Sequence, residues 1–179
     1  MADPIILQHD AAAFSLRDDA KPADDGNWYW PLPRLAGESP RIIVHANDDR
    51  RGVDLGYERM SFTELFVPVY AARSGTISYA AQVTSGYAIT IDHGGRWSTH
   101  YAHLERMFVT PTPGRRRRRG RVRAGDVIGY AGREPSHVRF ELWRWTSREG
   151  FVPTNAARSL HHWRVLPQFD STRPRRAVA

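Results

Sequence analysis

Short runs in which apolar and polar residues alternate dominate the middle of the chain. Thr76-Ile77-Ser78-Tyr79-Ala80 and Ala88-Ile89-Thr90-Ile91-Asp92 change face at each step, the period of half-buried antiparallel strands. Residues 99–104 and 137–145 have strand composition too, and residues 41–45 read as a first strand. Turn signals punctuate these runs at Ser74-Gly75, Ser85-Gly86, Gly94-Gly95 and Ala124-Gly125-Asp126. Helix is expected only as a short turn over residues 61–65 and a short terminal helix over residues 153–160. No internal repeat is visible. The pattern predicts one mostly-β domain over residues 41–166, an antiparallel sheet or sandwich with short helical turns. Residues 1–40 read as an irregular N-terminal extension. Its Gly26-Asn27-Trp28-Tyr29-Trp30-Pro31-Leu32-Pro33 stretch is expected to pin it to the domain through its aromatics. Residues 167–179 read as a basic, flexible tail.

Composition narrows this picture. A chain of 179 residues can bury one sizeable core with some decoration. It has no cysteine, which excludes disulfides and thiolate metal sites. No stretch approaches the roughly 18 apolar residues of a membrane span. Residues 1–14 lack the basic start and apolar run of a Sec signal peptide. The expectation is a protein made in the cytoplasm that leaves, if it leaves, by another route.

The net charge of +7 comes almost wholly from arginine. Arg115, Arg116, Arg117, Arg118 and Arg119 form an unbroken run flanked by Pro111, Pro113, Gly114 and Gly120, which places it on an exposed loop. Such a run suits a polyanion: nucleic acid, lipid headgroups or an acidic protein surface. The plainer reading is a solvated loop. No aromatics interleave with the arginines, so base stacking is not implied.

Three segments carry candidate chemistry: Arg50-Arg51-Gly52-Val53-Asp54-Leu55-Gly56, Tyr101-Ala102-His103-Leu104, and Ser136-His137-Val138-Arg139-Phe140-Glu141-Leu142. Their order and spacing resemble the lysostaphin/LytM-type zinc endopeptidases, which cut peptide cross-bridges in bacterial cell walls. Further segments extend the resemblance over residues 50–160. Residues 67–72 with 74–77 resemble a strand pair of that family, and residues 85–94 its central hairpin. Residues 123–129 resemble its Gly-Asp turn, and residues 151–155 the segment that closes the domain after the last strand. The resemblance implies a LytM-type fold, of the duplicated hybrid motif kind.

The resemblance also implies a metal site that these residues do not reproduce. The family's three zinc ligands would fall at positions 50, 54 and 139, where this chain has Arg50, Asp54 and Arg139. Arginine offers no lone pair and keeps its charge, so it cannot take a ligand position. The expectation is an ion pair between Asp54 and Arg50, Arg139 or both, in place of metal. His103 and His137 fall where the family has histidines that steer the zinc-bound water. Without metal they are relics, a reused ligand groove, or ordinary strand histidines. His100 and His103 should point to opposite faces of a regular strand. A rebuilt metal site from Asp54, His103 and His137 is conceivable. The segment before His137, residues 132–136, is shorter than the family's Gly- and Ser-rich groove wall.

Three functions compete. The first is a catalytically inactive, endopeptidase-like module without cofactor, whose cleft of His103, His137, Asp54, Arg50 and Arg139 binds a protein partner or a peptidoglycan fragment. Lack of a signal peptide suits a phage tail or a contractile injection apparatus, so the module would form part of a virion or injection particle. The second is an active cell-wall metalloendopeptidase with a rearranged zinc site. The third is a polyanion- or nucleic-acid-binding protein, supported by charge alone.

Overall fold

The computed structural model describes residues 26–35, 37–43, 52–59, 67–109, 120–132 and 137–166. Its strands are β1 (Arg41–Ile43), β2 (Val53–Gly56), β3 (Pro68–Tyr70), β4 (Gly75–Val83), β5 (Gly86–Gly94), β6 (Trp97–Met107), β7 (Arg121–Val122), β8 (Val127–Ala131), β9 (Val138–Thr146) and β10 (Gly150–Pro153). One helix follows, α1 (Ala156–Leu160). The main path of the sheet runs β1-β2-β9-β6-β5-β4-β7, and every strand pair is antiparallel. Among the described residues no helix is long and apolar enough to cross a membrane.

Alternation decides which face is which. In β9, Val138, Phe140 and Leu142 are buried while Arg139, Glu141 and Trp143 on the other face are partly exposed. Cross-strand register carries the core face through Leu55, Tyr101, Ile89 and Ile91, all fully buried. Phe140 meets Tyr101 edge to face at 5.4 Å between ring centroids. Such an aromatic pair contributes about 1 kcal/mol beyond its buried area. The opposite face carries Asp54, Arg139, Glu141, His100 and Thr90, and remains an open cleft.

Aromatic residues close one end of the core. Trp28 stacks on Trp163 at 4.8 Å and meets His93 and Trp97 edge-on. The Trp30 indole N–H donates to the Leu160 carbonyl at 3.0 Å, and the Tyr57 hydroxyl donates to the Pro33 carbonyl at 2.6 Å. Residues 26–35 therefore tie α1 and the final segment to the sheet.

Local details differ from the sequence expectations, each for a physical reason. Residues 67–72 and 74–77 contribute successive strands that do not pair with one another. β3 pairs β8, because the chain turns away through residues 72–74 before β4 begins. Within residues 85–94, Gly86–Gly94 form one strand rather than a hairpin, with turns at either end. Residues 150–153 do not follow the last strand. They are the last strand, paired to β9 through Phe151 and Trp145. The helix begins later than position 153 because Asn155 caps it, accepting the Arg158 amide at 2.9 Å. The expected turn at 61–65 lies outside the described residues.

Candidate functional site

Asp54, on β2, stands opposite Arg139 on β9, and Arg139 stands opposite Ala102 on β6. Register alone thus puts Asp54 and Arg139 side by side on the cleft face. His137 precedes β9 by one residue and shares the parity of Arg139. Its Nε2 lies 3.6 Å from Asp54 Oδ1.

His103 arrives by a different route. Along β6, the three steps from Tyr101 to Leu104 face only two steps, Ile89 to Tyr87, along β5. One residue is therefore inserted, a β-bulge. His103 sits in it with φ of 60°, in the left-handed region that a side chain with a Cβ rarely adopts. At the bulge β6 also changes partner, from β9 up to Ala102 to β8 from Leu104 onward. The His103 carbonyl is held by the Gly132 amide at 2.8 Å. In a regular strand His103 would share the core face with Tyr101. The bulge instead brings its Nδ1 to 3.0 Å from His137 Nε2. His100 and His103 therefore reach the same face, contrary to the alternation expected from sequence.

Arg139 bridges two carboxylates. Its Nη1 lies 3.5 Å from Asp54 Oδ1 and its Nε 3.7 Å from Glu141 Oε1. Glu141 also accepts the Trp143 indole N–H at 2.8 Å. Sequence reasoning did not single out Glu141, although its i+2 spacing from Arg139 on a strand places the two on one face. Asp54 is 8% exposed, which leaves little water to screen its contacts.

A groove of about 480 Å³ continues from Glu141 along the open face, lined by Thr90, Ser98, His100, Trp143 and Phe151. His100 Nδ1 is 2.9 Å from Thr90 Oγ1. Burial holds the His100 pKa below its ordinary value, aided by the Arg139 guanidinium and opposed by Glu141. The groove thus combines a polar floor, acidic at Asp92 and Glu141, with aromatic walls. A larger hollow of about 780 Å³ lies by β4 and β7, between Ser74, Arg121 and Arg123, and contains none of the clustered residues. Its size does not make it the chemical centre, because the convergent polar groups lie elsewhere.

A match to the model of peptidase family M23 spans residues 49–152, more than half of the chain. The chain belongs to peptidase family M23. Comparison with curated protein sequences gives no match. Among solved structures, lytM from Ruminococcus gnavus ATCC 29149 superposes with a TM-score of 0.53 at 16% identity, over 82% of this chain and 65% of that one. The SpoIIIAH–SpoIIQ complex gives 0.53 at 22% identity, over 74% of this chain and 99% of the matched one. Csd3 of Helicobacter pylori gives 0.50 at 19% identity, over 78% of this chain and 33% of that one. This M23 chain thus spans less than two thirds of the lytM chain, and these likenesses establish its fold.

At the positions where the resemblance places zinc ligands, the residues do not fit the metal. Arg139 has no lone pair to offer, and its guanidinium occupies the side of Asp54 that faces β9. Arg50, like the run Arg115 to Arg119 and residues 133–136, lies outside the described residues. Within the described part of the M23 domain, the side chains brought together are Asp54, His103, His137, Arg139 and Glu141.

Proposed function

We propose that this chain is a non-catalytic module on the M23 fold, which uses the cleft face of its sheet to hold a protein partner or a peptidoglycan fragment. The observation that carries this reading is the Arg139 guanidinium, 3.5 Å from Asp54, at a position where catalysis needs a metal ligand. The Arg139 guanidinium would repel a dication from the family position. The groove beside Glu141, with Trp143 and Phe151 as walls, offers a binding surface that requires no metal. The likeness to a chain of the SpoIIIAH–SpoIIQ complex supports a role within a protein assembly. A phage tail or a contractile injection apparatus, assembled in the cytoplasm, is the kind of assembly that suits it.

A second reading, an active endopeptidase with a rearranged site, is favoured by the convergence of Asp54, His103 and His137. One assay separates the two. Purified protein, with and without added zinc, is incubated with peptidoglycan sacculi and with short glycine-bridged peptides, and new amino termini are measured. No release under any condition supports the non-catalytic module. Release that disappears in His137→Ala would overturn it.

A further inference from the structure

We propose that Asp54, His103 and His137 form a divalent transition-metal site displaced from the family position. It goes beyond the functional reading above, because it concerns metal binding and holds whether or not the chain cleaves anything.

The argument begins with donor geometry. Asp54, His103 and His137 each offer a ligand atom, and these atoms lie within 4.8 Å of one another. Tetrahedral zinc with bonds of about 2.0–2.2 Å to nitrogen and oxygen requires ligand atoms about 3.3 Å apart. The His103 Nδ1 to His137 Nε2 distance is 3.0 Å and the His137 Nε2 to Asp54 Oδ1 distance is 3.6 Å. These two edges bracket the required value, and the third, from His103 to Asp54, is no longer than 4.8 Å. Two imidazoles and one carboxylate are a donor set that zinc accepts, with a fourth position for water.

The backbone supplies a second, independent observation. His103 is delivered by the bulge in β6 with a left-handed φ of 60°. Backbone strain of this kind persists where the surroundings enforce it. Here the bulge takes an imidazole out of the core face and presents it to His137. The contact between the rings uses one proton between two nitrogens. A metal would take both lone pairs once that proton moves to the donor ring's other nitrogen.

Arg139 is the obstacle, and Glu141 offsets it. The guanidinium already lies 3.7 Å from Glu141, so it retains a counter-ion when a metal takes Asp54. Asp54, Glu141 and Arg139 together carry a formal charge of −1, which a dication turns to +1, and the two imidazoles add none when neutral. Arg139 should therefore weaken the site without abolishing it.

The experiment measures zinc(II) binding by calorimetry and cobalt(II) binding by visible absorption, on the full chain after chelator treatment. The expected result is one equivalent of zinc and the intense visible bands of tetrahedral cobalt. His103→Gly, chosen because glycine tolerates the bulge conformation, and Asp54→Asn should each weaken binding by on the order of 100-fold or more. Arg139→Met should tighten it about 10-fold or more by removing the competing cation. The exposed pair His161 and His162 is the control, and the double alanine variant should bind as the parent does. Absence of stoichiometric zinc, or zinc lost with His161 and His162 but kept in a folded His103→Gly, would overturn the proposal. The peptidase assay is scored separately, so metal binding without cleavage leaves the functional reading intact.

Discussion

His93 makes the stability of this fold depend on pH in a way that can be worked out from its contacts. It lies on the core face of β5, with Nδ1 3.0 Å from the Ser74 carbonyl and Nε2 2.7 Å from Thr99 Oγ1. A carbonyl only accepts, so Nδ1 carries the hydrogen. Burial against Trp28 lowers the pKa from 6.5 to about 4, with Arg73 adding to the shift and the Ser74 hydrogen bond opposing it. Because the folded value lies below the unfolded one, the unfolded chain takes up a proton first. The stabilisation is fully present above pH 6.5, is lost progressively as pH falls towards 4, and levels off below that. The gap is worth about 3 kcal/mol at about 1.4 kcal/mol per pH unit. Urea unfolding of the parent and of His93→Asn, from about pH 7.5 to about pH 4, isolates this contribution. Asparagine keeps an amide donor near Nδ1 and does not titrate, so the carboxylates common to both chains cancel in the difference. The variant should be the less stable chain near neutrality, and the difference should shrink by about 3 kcal/mol on acidification. Parallel stability profiles across that range would refute the assignment of a buried, neutral His93.

Two further substitutions probe the elements that position the site. His103→Gly should leave stability unchanged or raise it by up to about 1 kcal/mol in thermal or urea unfolding, since glycine relieves the left-handed strain at the cost of a more flexible unfolded chain. A loss greater than about 2 kcal/mol would mean that the His103–His137 contact is a structural clasp rather than a binding feature. Tyr101→Phe should cost about 1–3 kcal/mol, because the Tyr101 hydroxyl accepts the buried Ala72 amide at 2.9 Å and that amide would lose its acceptor. A change below about 0.5 kcal/mol would show that another group satisfies Ala72.

The alternation at 76–80 and 88–92 announced β4 and β5 because each has one buried and one open face, the condition under which period-two patterning is visible. The same logic runs through β9, where buried Val138, Phe140 and Leu142 alternate with Arg139, Glu141 and Trp143. The motifs around Asp54, His103 and His137 carried the family, which the match over residues 49–152 establishes. What alternation could not reveal is where it breaks. His100 and His103 are three apart, and only the inserted residue in β6 puts both on the cleft face. That insertion exists because β6 hands its edge from β9 to β8, a fact about long-range pairing that local pattern does not encode. Likewise β3 looked like the partner of β4, because proximity in sequence says nothing about β8 lying between Pro68 and Arg106.

Arg139 illustrates the limit of reading a site one position at a time. Considered alone, an arginine at a ligand position signals only loss. On the strand it is flanked by Asp54 across the ladder and by Glu141 two residues along, so the same guanidinium contacts two carboxylates on the cleft face. Two carboxylates on one face would repel one another, and this arginine supplies positive charge between them from within the sheet. Arg139 therefore offsets the negative charge of Asp54 and Glu141 on the cleft face. His103 and His137 lie 3.0 Å apart beside it, each with a ring nitrogen within 4.8 Å of an Asp54 oxygen. The cleft is thus assembled from three strands rather than from one motif. Here Arg139 comes from β9, Asp54 from β2 and His103 from the bulge in β6.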